Sequence, residues 1–208
     1  MKEGKFNLDK MLIASGFIGG IIFFAIIYFL LPLFYPGFNP MNQTISALGG
    51  SDSPVRIFAN VFGFSLFGIF IILFAYGIFR FGEINDLGKV STVFFLLDGV
   101  LMFLAGIFYS GSGFSTMASL HNIAANYQFP ILAVGLVLFA LSVAGNKKLW
   151  WLTSVILTLG IVTLILAYLF FFDHDIQNRG IWQRFAVGLP YVIVMIISVA
   201  LYREQNKN

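Results

Sequence analysis

Charge-free apolar stretches alternate with short polar connections along the whole chain. Six stretches are long enough to be membrane spans: Met11 to about Phe34, Ile57–Phe79, Val90–Tyr109, Ile123–Ala144, Leu149–Phe172 and Phe185–Tyr202. A hydrocarbon core about 30 Å thick takes roughly 20 apolar residues of helix, which each run approaches or exceeds. Gly, Pro, Asn or charge breaks every run from the next, at Pro36-Gly37, Gly49-Gly50, Gly82 to Lys89, Ser110 to Ser119, Gly145 to Lys148 and Asp173 to Gly180. These connections are too short for a soluble domain. The predicted architecture is all-α: one domain over residues 1–208, a polytopic bundle of six transmembrane helices.

Cations orient the bundle, because Lys and Arg accumulate in short cytoplasmic loops. With the N-terminus inside, the inner side receives Lys2, Lys5, Lys10, Arg80, Lys89, Lys147, Lys148, Arg203 and Lys207, and the outer side only Arg56, Arg179 and Arg184. Nine against three predicts both termini cytoplasmic in a cell membrane. The first run follows Lys2 to Lys10 as a secretion signal would, yet it is too long and lacks a small-x-small cleavage site, so it reads as an uncleaved helix. Tyr28, Phe34, Tyr35 and Phe38 at its outer end, and Trp150 and Trp151 at the inner start of the fifth helix, suit aromatic belts.

Composition narrows the class further. Of 208 residues, 59% are hydrophobic and 10% charged, and the mean hydropathy of +0.92 excludes a water-soluble domain. The net charge of +3 comes without a basic tract, so a nucleic-acid partner is excluded as well. With no cysteine there is no thiol nucleophile, disulfide or Cys-based metal site.

The uncommon polar groups gather on the predicted outer side. The first outer loop holds Asn39, Asn42, Gln43, Thr44, Ser46, Asp52 and Arg56, and the last holds Gln177, Asn178, Arg179, Gln183 and Arg184. Within the first loop, Asn39-Pro40 is a helix-start signal and Gly49-Gly50 a stop, predicting a short interfacial helix over Pro40–Leu48. Gln43, Thr44 and Ser46 either satisfy caps and turns there or present donors to a ligand. Asn42-Gln43-Thr44 also matches a glycosylation sequon.

On the fourth helix His121, Ala125 and Gln128 share one face, with Asn122 and Asn126 on an adjoining one. A polar stripe in the outer half of a span faces the bundle, either joining helices or lining a wet cavity. Pro130 frees a backbone carbonyl that Gln128 or a water can take up. Asp98 is the one formal charge well inside a span, and no Lys or Arg lies at its depth. It reads either as a protonated acid donating to a neighbouring helix or as a proton or cation relay.

Catalytic and metal readings draw on the same face. A zinc site would combine His121 and His174 with Asp173 or Asp175, and with Asp52 as a further carboxylate, a grouping by proximity rather than by a spaced motif. A haem between His121 and His174 lacks further support. No GxSxG, Walker or Rossmann pattern occurs, and no cofactor is specified.

Tyr35-Pro36-Gly37-Phe38-Asn39, then Gln43-Thr44-Ile45-Ser46-Ala47-Leu48-Gly49, His121, and Gly180-Ile181-Trp182-Gln183-Arg184 together resemble the prokaryotic membrane proteins grouped as domain of unknown function 998. The resemblance runs from the first span to the last. It implies a six-span membrane protein without an established task, with Gln43, Thr44, Ser46, Gly49, His121, Gln183 and Arg184 as matching positions. Where that family often has an acid after the third span, this chain has Tyr109-Ser110-Gly111-Ser112-Gly113, which weakens a shared metal or acid/base site unless Asp173 or Asp175 substitutes.

Three functions remain. In the first, Gln43, Thr44, Ser46, His121, Asn122, Asn126, Gln183 and Arg184 form an outer polar cup for a lipid headgroup or a membrane protein partner. In the second, an outer-leaflet lipid or polyprenyl enzyme uses His121 as base and Arg184 as anion clamp, a guanidinium being suited to phosphate or carboxylate; Arg184 can equally bridge to Asp173 or Asp175. In the third, a small transporter uses Asp98.

Overall fold

The computed structural model describes residues 7–111, 115–172 and 177–205. Among the described residues the chain is helical without strands, and six helices are long and apolar enough to cross a membrane. They are α1 (Leu8–Leu33), α2 (Arg56–Arg80), α3 (Asp86–Ile107), α4 (Thr116–Val143), α5 (Trp150–Phe172) and α6 (Arg179–Gln205).

Side-chain caps set several starts beyond the reach of hydropathy. Asn7 accepts from Lys10 N–H at 3.2 Å, Asn85 from Gly88 N–H at 3.1 Å, and Ser115 from Ala118 N–H at 3.1 Å. Consequently α3 begins at Asp86 rather than Val90 and α4 at Thr116 rather than Ile123; α6 also starts early, at Arg179 rather than Phe185. Of the added turns, His121 and Asn122 of α4 and Arg179 and Gln183 of α6 line a cavity.

Each helix packs on its neighbours in sequence, and α6 closes back on α1. Small residues permit the tightest approach: a Cβ on Gly68 of α2 would lie 2.6 Å from the Gly99 carbonyl oxygen of α3. The centre is aromatic, with Phe23 stacked on Phe67 at 4.4 Å and Phe67 edge-to-face with Tyr191 at 4.6 Å. By contrast α5 is largely peripheral, only 17% of its apolar window being buried. Two spans contain widened π-helical turns, Phe24–Leu30 just before Pro32 in α1 and Ala59–Ser65 in α2.

Ion pairs gather at one end of the bundle, where Arg80 meets Asp9 at 2.5 Å and Lys148 meets Glu83 at 3.2 Å and Glu204 at 3.7 Å. The first interhelical loop closes the other end. It contains a short helix, later and tighter than the sequence suggests: a 3-10 helix over Ile45–Gly49. Asn39 and Gln43 prevent the earlier start. The Asn39 side chain accepts from Met41 N–H at 2.9 Å, and the Gln43 side chain accepts from Asn39 N–H at 2.6 Å, locking residues 39–43 into a turn.

Candidate functional site

The loop is built from carbonyls that converge on the start of α6. Arg184 Nη1 donates to the carbonyl oxygens of Pro40 at 2.6 Å, Gln43 at 2.7 Å and Gly180 at 3.0 Å, while Ile181 N–H donates to Met41 at 3.0 Å. Glycine at 180 is required by this crowding, since a Cβ there would strike the carbonyl oxygens of residues 40, 41 and 43. The Gln183 side chain accepts from Ile45 N–H at 2.6 Å and so holds the first residue of the 3-10 helix. From α2, Asn60 Nδ2 donates to Gly49 at 3.1 Å. Beyond α3, Ser110 Oγ donates to Ser46 at 2.6 Å, and its carbonyl accepts from Ser51 N–H at 2.8 Å.

Between this loop, the first turns of α4 and the start of α6 lies a cavity of about 470 Å3, within the size range of small-ligand sites. Thr44, Ser46, His121, Asn122, Asn126 and Gln183 all line it, bringing together six of the residues singled out in the sequence. Asp52, Arg179, Ser51, Ser53 and Ser110 complete its polar wall. Phe129 and Phe170, stacked with ring centroids 6.1 Å apart, form part of its apolar boundary.

His121 is the buried polar side chain whose state the geometry defines most closely. Its Nδ1 lies 2.9 Å from the Ala105 carbonyl oxygen and 2.7 Å from that of Phe108, the carbonyls left over where α3 ends. Two acceptors assign the proton to Nδ1, so in the neutral ring Nε2 carries a bare lone pair. His121 is 2% exposed, and Nε2 is buried without a hydrogen-bond partner. A buried polar atom left unmatched is uncommon. The residue lines the polar cavity, but Nε2 itself is closed off from it.

Other sequence candidates lie elsewhere. Gln43 and Arg184 are outside the cavity lining. Arg184 stacks over Phe38 at 5.4 Å and is held by loop carbonyls through Nη1, and its own carbonyl accepts from Tyr28 OH at 2.7 Å, so it ties the loop to α6. Asp173, His174 and Asp175, with every metal, haem or ion-pair reading that uses them, fall outside the described residues. Among the described residues no three His, Asp or Glu side chains cluster as a metal site would require.

Asp98 is fully buried and receives Tyr191 OH at 3.2 and 3.4 Å, and Gln128 Nε2 donates to that same hydroxyl. The Gln128 amide therefore turns to Tyr191 rather than to the carbonyl freed by Pro130. Sequence reasoning missed Tyr191 because a tyrosine inside a span reads as apolar; its position one residue after Pro190, in mid-helix, was the available signal. Ser110 was missed because hydroxyls in short connections are ordinary turn residues.

Six membrane-length helices with a polar cavity at one end define a multi-pass membrane protein. The chain matches the model of a family described as "Protein of unknown function (DUF998)" over residues 17–200, and it belongs to that family. No curated protein and no solved structure matches it.

Proposed function

We propose that this protein sits in the cell membrane with both termini cytoplasmic and binds the hydroxyl-bearing headgroup of a membrane lipid in its polar cavity, which opens to the extracytoplasmic side. The observation that carries the reading is the convergence of Thr44, Ser46, Asp52, Asn122, Asn126 and Gln183 on one cavity. With Asp52 as an acceptor and Asn122 and Asn126 as mixed donors and acceptors, the wall suits a ligand rich in O–H groups. A concave cavity favours such a headgroup over a flat protein partner. The distribution of Lys and Arg supports the orientation.

An enzymatic reading uses His121 of the same lining as general base on the bound headgroup.

Native mass spectrometry in mild detergent tests the binding. A neutral monoglycosyl diacylglycerol, added beside a phosphatidylcholine of the same chains, is the expected preferred adduct. Asn122→Leu and Asn126→Leu should each weaken that preference about tenfold, the effect of losing a hydrogen bond of roughly 1.4 kcal/mol. Equal retention of both lipids by the wild type, or a preference untouched by both substitutions, would overturn the reading.

A further inference from the structure

At the end of the bundle opposite the polar cavity, α1 and α5 both pack on α6 and leave a groove of about 780 Å3 along it. Its floor is a helical stripe of Val192, Met195, Val199 and Arg203, positions that recur on one face of α6. Phe17 of α1 forms one wall, and Trp151 at the start of α5 forms the other. Val192, Phe17 and Trp151 are 37%, 38% and 40% exposed, so the groove opens outward, where a membrane protein meets lipid.

Charge is confined to one end of the groove. Lys148, Arg203 and Glu204 line its mouth. The Glu204 carboxylate is 3.7 Å from Lys148, which also pairs with Glu83 at 3.2 Å, whereas among the described residues no carboxylate forms an ion pair with Arg203. Two carboxylates thus engage Lys148, and Arg203 is the cation of the mouth left for a further anion. Arg203 stands twenty residues along α6 from the cavity residue Gln183, a rise of about 30 Å, which is the thickness of the hydrocarbon core. Arg203 and Lys148 thus lie at headgroup depth in the leaflet opposite the cavity, beside an interfacial tryptophan.

We propose that this groove is a binding site for an anionic phospholipid. One acyl chain runs along the apolar stripe of α6, and the phosphate sits on Arg203. The chemistry is that of basic pockets between spans, which take anionic headgroups while apolar walls take the chain. The site is independent of the polar cavity, and neither needs the other to be correct.

The test is native mass spectrometry of the full-length protein with phosphatidylglycerol competing against phosphatidylcholine of identical chains. The wild type should favour phosphatidylglycerol about fivefold, the effect of one interfacial cation. Arg203→Gln should bring that ratio to near parity, while Lys89→Gln, at the same end of the bundle but off the groove, should leave it unchanged. Val199→Trp, which fills the floor and keeps every charge, should reduce retention of phosphatidylglycerol and remains informative if Arg203→Gln misfolds. Parity in the wild type, an equal fall in Lys89→Gln, or undiminished phosphatidylglycerol retention in Val199→Trp each overturns the proposal.

Discussion

The backbone N–H of Ile45 and the side-chain oxygen of Gln183 meet at 2.6 Å across 138 residues of sequence. This bond joins the first loop to the sixth span at the edge of the polar cavity. Both groups are buried, so the amide has no water to turn to if Gln183 is lost. Gln183→Leu, which keeps the bulk and removes the acceptor, should destabilise the protein by about 1–3 kcal/mol. Reversible unfolding in mixed micelles measures this, and a change below about 0.5 kcal/mol would show that the bond contributes nothing.

Arg184 should act on the loop rather than directly on ligand chemistry. Its Nη1 contacts to Pro40 and Gln43 predict that Arg184→Ala releases residues 39–43, raising their amide exchange and protease sensitivity. Hydrogen bonds from a charged donor are worth about 1.5–3 kcal/mol each, so exchange there should speed up by at least tenfold. Unchanged exchange in the variant would return Arg184 to the pool of ligand-binding candidates.

Gly180→Ala should be among the most damaging small substitutions in the chain. The added methyl would meet three carbonyl oxygens that cannot retreat without breaking the bonds to Ile181 and Arg184. Overpacking of this kind costs about 1–3 kcal/mol. Gly145→Ala, where a Cβ meets no atom within 4 Å, is the matched control. Equal melting temperatures for the two variants would show that the loop is less closely seated on α6.

Asp98 and Tyr191 should behave as a unit. Tyr191→Phe removes the hydroxyl that both Asp98 and Gln128 contact, stranding a buried carboxyl group, and should cost about 1–3 kcal/mol. In an Asp98→Leu background the same substitution should cost much less, giving a coupling of at least about 0.5 kcal/mol. Additive effects would mean that the three residues do not share a network.

Most of the fold was legible because a lipid environment leaves so few solutions. A span must be a long apolar helix, and runs such as Leu149–Phe172 show that directly, the helix occupying Trp150–Phe172. Legibility failed where a helix turns polar: residues 116–122 belong to α4, but with Thr116, Ser119, His121 and Asn122 among them they lack the hydropathy of a lipid-exposed turn. The cavity was partly legible for the same reason. His121, Asn122 and Asn126 stood out as polar groups in a span, and Thr44 and Ser46 as polar groups in a loop too short to leave them apart. Side-chain direction was not legible. Gln183 and Arg184 are neighbours in sequence, yet one lines the cavity and the other grips the loop beside it. Nor could periodicity reveal that Tyr191 lies within reach of Asp98, a contact made across the bundle by helices distant in sequence.

The widened turn at Ala59–Ser65 bears on how the chain tolerates changes in length. Asn60 and Ser65 are five positions apart, about 140° around a regular helix, yet both reach across from α2: Asn60 to Gly49, and Ser65 Oγ to the Phe103 carbonyl at 3.2 Å. The extra residue in that turn lets one helix address the loop with one side chain and α3 with the other. Closing that turn into an ordinary helix without removing a residue would swing Asn60 away from Gly49, whereas removing one residue between them would leave the two side chains about 40° apart, so the loop over the cavity is held in place partly by a count of residues.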